Sequence, residues 1–199
     1  MRCALAFLSA IFLLQVPTFA QKVAVDDIAH HPLDTDFPSG GQLQIQIRSA
    51  EIHIVGSAEN KVSVSVGGSR GSDSDDIRAR FEHTGDFGSL RIMGGPSGNV
   101  TINVRVPKSS NLKVHVFAGD VEVKDIQGDK QITLGAGNLT IHAGDPANYS
   151  RVEASVTTGS IEAIPFGESR GGLFRSFERS GSGKYKLIAH IGAGDLRLK

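Results

Sequence analysis

Cysteine is nearly missing: Cys3 is the single one in 199 residues. It lies in an N-terminal stretch, MRCALAFLSAIFLLQVPTFA (1–20). Arg2 there supplies a positive charge, Ala4 to Val16 is largely apolar, and Thr18-Phe19-Ala20 offers small residues. Together these read as a secretory signal peptide cleaved near Ala20. The apolar run is too short for a comfortable membrane span, although left uncleaved it would be an anchor. Cys3 precedes that run, so cleavage does not leave it in place for lipidation. The mature chain then has no thiol, which excludes disulfides and thiol chemistry. An excess of either charge is also lacking. Without Arg2 the basic count falls from 21 to 20, against 21 acidic residues. Such a balance sets up no field that would draw nucleic acid or an anionic membrane. Tryptophan is absent while glycine numbers 24, and no helical period follows residue 20. No nucleophile motif, phosphate loop or dinucleotide fingerprint occurs.

What is present is an internal repeat. Aligned on one position, five segments superimpose: QIQIRSAEIHI (44–54), KVHVFAGDVEV (113–123), QITLGAGNLTI (131–141), EASVTTGSIEA (153–163) and IAHIGAGDLRL (188–198). The pivot is Ala50, Gly119, Gly137, Gly159 and Gly194. Apolar residues recur five and three positions before it, and two and four after it. That alternation is the mark of a strand with one buried face. A small residue followed by glycine lets the backbone bend where a bulky side chain would clash. Each unit is therefore two short strands with a corner at Gly119, Gly137, Gly159 or Gly194. One unit cannot bury its apolar face alone, and stacked units can.

The expectation is an all-β, single-domain β-solenoid, like a parallel β-helix, over 40–199. Its coils are short and two-stranded, with SRGGLFRSFERSGSG (169–183) as an inserted loop. An antiparallel sandwich of hairpins is the other option, but it has no need for a glycine at a fixed offset. Residues 21–39 read as an extended lead segment and 67–76 as a flexible loop. The strand-like runs Val62–Val66, Ile77–Phe81, Ser89–Met93 and Val100–Val106 are expected to form less regular coils.

Residues 100–141 carry Val104-Arg105-Val106-Pro107, Gly119-Asp120, Gly128-Asp129 and Gly137-Asn138, and Gly194-Asp195 follows later. With these the chain resembles the bacterial putative-adhesin family of β-strand-repeat proteins over roughly residues 40–199. The resemblance implies a β-solenoid-like fold, export and an interaction role. It brings no catalytic residues. Gly159-Ser160 and Ala50-Glu51 depart from the Gly-Asp pair.

Several clusters invite a chemical role. Glu51, Asp120, Asn138, Ser160 and Asp195 form a polar column, yet one short side chain per coil supplies too few oxygens for calcium. Bonds to local backbone amides account for it better. Glu122 and Glu162, if two coils apart, would stand roughly 10 Å from each other, near the spacing of an inverting glycosidase pair, but on a flat face. His115 and His190 share a column, and His30-His31 sit beside Pro32; neither pair has a third ligand for zinc. Asn99, Asn138 and Asn148 match the glycosylation pattern by chance. The 169–183 segment places Phe174 and Phe177 among Arg170, Arg175 and Arg179. Phe174, Phe177, Arg175 and Arg179 suit partner contact, and the phenylalanines equally suit capping of the solenoid end. No metal or cofactor is called for. The expected function is a non-catalytic, exported, adhesin-like interaction module of the cell envelope or surface. Its partner would be an envelope protein or glycan, and terminal-coil edges could pair with a second copy. The alternatives are a polysaccharide-acting β-helix enzyme and a structural envelope or assembly factor.

Overall fold

All twenty residues of the four apolar columns are buried in the computed structural model. It describes residues 20–68, 77–94 and 100–199. Residues 1–19 of the expected signal peptide, with Cys3, most of the 67–76 segment and Asn99 lie outside the described residues. Among the described residues fifteen strands form one sheet. They are β1 (Gln21–Val25), β2 (Leu33–Asp36), β3 (Gln42–Ser49), β4 (Glu51–Ser57) and β5 (Lys61–Gly68); then β6 (Arg78–Thr84), β7 (Phe87–Met93), β8 (Val100–Pro107), β9 (Asn111–Ala118) and β10 (Val121–Lys124); and last β11 (Lys130–Ala136), β12 (Leu139–Ile141), β13 (Tyr149–Ala163), β14 (Glu168–Ser180) and β15 (Tyr185–Leu198). Among the described residues no helix is long and apolar enough to cross a membrane.

The repeat columns set the register. Ile47 pairs with Val116, Val116 with Leu134, Leu134 with Ile191 and Ile191 with Val156. Every pivot but Ala50 has positive φ: 125° at Gly119, 127° at Gly137, 136° at Gly159 and 136° at Gly194. A Cβ built on Gly137 would lie 2.0 Å from the Gly119 carbonyl oxygen, and one on Gly194 would lie 1.8 Å from that of Gly137. The corners therefore stack backbone on backbone.

The expected parallel solenoid is nevertheless overturned: the sheet is a nearly closed barrel of mixed strand orientation. One row runs β1-β6-β7-β3-β9-β11-β15, and the other runs β12-β10-β4-β8-β5-β2 back from β15. The long strands β13 and β15 cross the corner and join the rows. At the far side the rows approach again, where the Gln21 side-chain amide donates to Thr35 Oγ1 at 3.2 Å. Five pairings are antiparallel: β1–β6, β6–β7, β2–β5, β5–β8 and β13–β14. Coils also do not follow chain order, because β15 inserts between β13 on one side and β11 and β12 on the other. The cause is that column alternation specifies which face of a strand is buried. It specifies neither the direction of the neighbour nor its order along the chain.

Two further segments differ from expectation. Of the expected loop 169–183, residues 169–180 are strand: β14 runs antiparallel along β13, from Ala163↔Glu168 to Arg151↔Ser180, and only 181–183 lie outside it. It returns the chain to the start of β13, so that β15 can pair with it in parallel. Residues 21–39 are no mere lead: they supply β1 and β2, and Ile28, Leu33 and Phe37 are buried in the core. The four strand-like runs before residue 107 are strands, but β5 and β6 pair antiparallel rather than as coils.

Candidate functional site

The outer corner is built by the column two before the pivot. In spatial order it holds Arg48 on β3, Phe117 on β9, Gly135 on β11, Gly192 on β15 and Thr157 on β13. On β14 the register skips from Val156↔Arg175 to Thr158↔Leu173, which sets Phe174 opposite Thr157. Phe117 is 70% exposed, Phe174 80% and Leu173 60%. Between them the floor is bare at Gly135 and Gly192 and carries the exposed Thr157 beside β14; the reason for the two glycines is steric. A Cβ on Gly135 would sit 2.4 Å from the Phe117 carbonyl oxygen, and one on Gly192 2.4 Å from that of Gly135. The exposed Ala136 and Ala193 continue this floor. Phe117 and Phe174 are four strands apart, roughly 19 Å at sheet spacing. The result is a rigid, nearly uncharged saddle with an aromatic ring on each rim.

The four partner-contact residues divide. Phe174 faces out at the saddle. Phe177 pairs with Ala154, is buried, and packs against Phe166 with ring centroids 6.2 Å apart. Arg175 and Arg179 stand opposite the buried Val156 and Val152. Arg175 Nε donates to the Gly171 carbonyl at 2.9 Å, and the Arg179 guanidinium lies 5.9 Å from the Phe166 ring centroid. Arg170, opposite Ile161, reaches the Ser176 carbonyl at 2.8 Å. Where the aliphatic columns end, arginine stems cover them while the charged heads stay wet.

The second face, on β4, β10, β12, β15 and β13, is polar. Asp120 Oδ1 accepts from the Asn138 backbone amide and Nδ2 at 3.0 and 2.9 Å, and the Ser160 hydroxyl donates to Asp195 at 2.6 Å. The polar column thus bonds to itself across strands. Glu122 and Glu162 are three strands apart rather than two, roughly 14 Å, because β12 and β15 intervene. Arg197 lies between them, 3.7 Å from Glu162. The Lys124 ammonium, 2.7 Å from Glu122, holds that carboxyl below the usual range. Glu51 is likewise lowered, chiefly by hydrogen bonds from His53 and Thr101. His190 Nδ1 is 2.6 Å from Ser155 Oγ, and His30 Nδ1 is 2.9 Å from Asp27. Among the described residues no three His, Cys, Asp or Glu side chains group as a metal site requires.

One residue escaped the sequence reading. Lys130 is 2% exposed and occupies the column seven before the pivot, where the other units have Leu43, Leu112, Val152 and Leu187. Extending the repeat template by that one column would have shown a lysine among aliphatics. Its Nζ donates to the Gly128 carbonyl at 3.0 Å and to Tyr149 Oη at 3.2 Å, and Tyr149 in turn donates to the Ala143 carbonyl at 2.9 Å. Burial pulls Lys130 down to about 8 and pushes Tyr149 up to about 12.

The fold is similar to that of a solved structure described as a putative cell adhesion protein from Clostridium sporogenes ATCC 15579. The TM-score is 0.51, at 14% identity, over 84% of this chain and 99% of that one. At that identity the likeness is one of fold. No family model matches the chain, and no curated protein does.

Proposed function

We propose that this protein is a non-catalytic, exported, adhesin-like binding module of the cell envelope or surface. The observation that carries the proposal is the saddle at the barrel corner, with Phe117 on one rim and Leu173 and Phe174 on the other. Exposed aromatic side chains over a rigid floor favour binding, because little conformational entropy is lost when a partner covers them. A floor of glycine and small side chains admits a flat partner, either the apolar face of a glycan or a protein surface. The fold likeness to a molecule described as a cell adhesion protein supports the same direction. The polysaccharide-cleaving alternative is disfavoured by the polar face. A separation of roughly 14 Å exceeds the ~6.5–9.5 Å of an inverting pair, and Glu122, bonded to Lys124, is held ionised rather than poised as an acid.

The test is capture of envelope glycans and proteins on the immobilised chain, repeated with Phe117→Ala plus Phe174→Ala. Both side chains are exposed, so the melting temperature should hold. Affinity for a captured partner should fall about tenfold or more. Full affinity in the folded double variant would remove the saddle from the account.

A further inference from the structure

The cavity beneath Lys130 is a second place with a chemical character of its own. It has a volume of about 240 Å³ and lies between the 125–127 and 142–149 segments. Lys130 and Tyr149 line it, together with Asp125, Gln127, His142, Asp145, Asn148 and Tyr185. It stands at the start of β11, roughly 20 Å along that strand from the corner saddle. We propose that this cavity binds a small hydroxylated aldehyde and that Lys130 Nζ holds it as an imine.

The hydrogen bonds around Nζ carry the argument. Tyr149 has committed its proton to the Ala143 carbonyl, so towards Lys130 it can only accept. The Gly128 carbonyl also only accepts. Above about pH 8, where the amine is neutral, it spends its two N–H groups on these two acceptors and keeps its lone pair unengaged. No ion pair with a carboxylate ties the nitrogen up among the described residues; Asp129, next in sequence, instead binds the Lys186 backbone amide at 2.9 Å. Burial outweighs the opposing pull of the nearby Asp129 carboxylate and favours the neutral, nucleophilic form. The remaining lining sets carboxylate, amide and imidazole groups beside Ile126, Ala143 and Gly144, so a small ligand bearing hydroxyls finds hydrogen-bond partners next to an apolar wall. The volume corresponds to about eight waters, so the ligand is small.

The chemistry balances without an oxidant. The Nζ lone pair attacks the carbonyl carbon, and the carbonyl electron pair moves to oxygen. Nitrogen gives up one proton and oxygen gains one, forming the carbinolamine. Loss of the hydroxyl with a second proton then releases water and leaves the C=N bond. His142 and Asp145 line the same cavity as groups able to carry the proton.

The experiment uses glyceraldehyde and cyanoborohydride on the purified full chain at about pH 8.5, followed by peptide mass mapping. Reduced adduct should form on Lys130 about tenfold or more faster than on the surface lysines, whose ordinary amines are almost wholly protonated there. Acetaldehyde, which lacks hydroxyls, should label Lys130 more slowly than glyceraldehyde does. Lys130→Met should fold, since aliphatic residues fill this column in the other units, and should lose the fast adduct. Label spread over surface lysines with Lys130 unmodified would overturn the proposal from the native chain alone. Equal rates for the two aldehydes would overturn the ligand class.

Discussion

Gly137 and Gly144 both have positive φ, 127° and 70°, but only Gly137 has a neighbour's backbone against it. Gly137→Ala must therefore break the stack as well as strain its own dihedral. It should cost about 3 kcal/mol or more, whereas Gly144→Ala, with open space around its Cβ, should cost only about 1 kcal/mol. Urea unfolding compares the two, and equal losses would deny the stacked corner any role beyond φ. Lys130 and Tyr149 make a second prediction at this scale. Between about pH 8 and 10.5 the unfolded chain keeps the Lys130 proton that the folded chain has released, so stability rises with pH there. Over the whole interval this term amounts to about 3 kcal/mol. Between about 10 and 12 the unfolded Tyr149 loses a proton that the folded residue keeps, so stability falls. The urea midpoint should climb from about pH 8 to 10 and drop beyond, and Lys130→Met should abolish the climb alone. A native midpoint that is flat from about pH 8 to 10 would contradict the buried lysine.

β14 shows how one strand can combine structural and surface roles. The expectation of either capping or partner contact treated Phe174 and Phe177 alike, yet pairing with β13 sends them to different environments. Phe177→Ala removes a ring packed on Phe166 at the end of the core and should cost about 3 kcal/mol. Phe174→Ala, largely exposed, should leave the melting temperature unchanged within error. Thermal unfolding of the single variants separates the roles, and a similar loss from both would mean that Phe174 packs inward in solution. The arginines were legible as a basic cluster. That Arg170, Arg175 and Arg179 face the ends of aliphatic columns was not, because their neighbours on β13 are found only through the pairing.

At the scale of the molecule, the last strand holds the barrel together. β15 lies between β11 and β12 on one side and β13 on the other, so removing residues 185–199 leaves two long edges without partners. The truncated chain should lose its cooperative unfolding transition and aggregate, because unpaired strand edges recruit other chains; a retained transition would refute this account of β15. The sequence by itself determined the apolar columns, the register between units and the pivots where the chain turns. Those follow from local sterics and from a side-chain period of two, both written residue by residue. The tertiary structure alone decided that β14 doubles back, that β15 inserts out of order, that residues 21–37 close the far side, and that Lys130 meets Tyr149. These depend on which strand neighbours which, and on burial gained between segments far apart in the chain. Alternation leaves that choice open, since a buried face is satisfied equally by a parallel or an antiparallel neighbour.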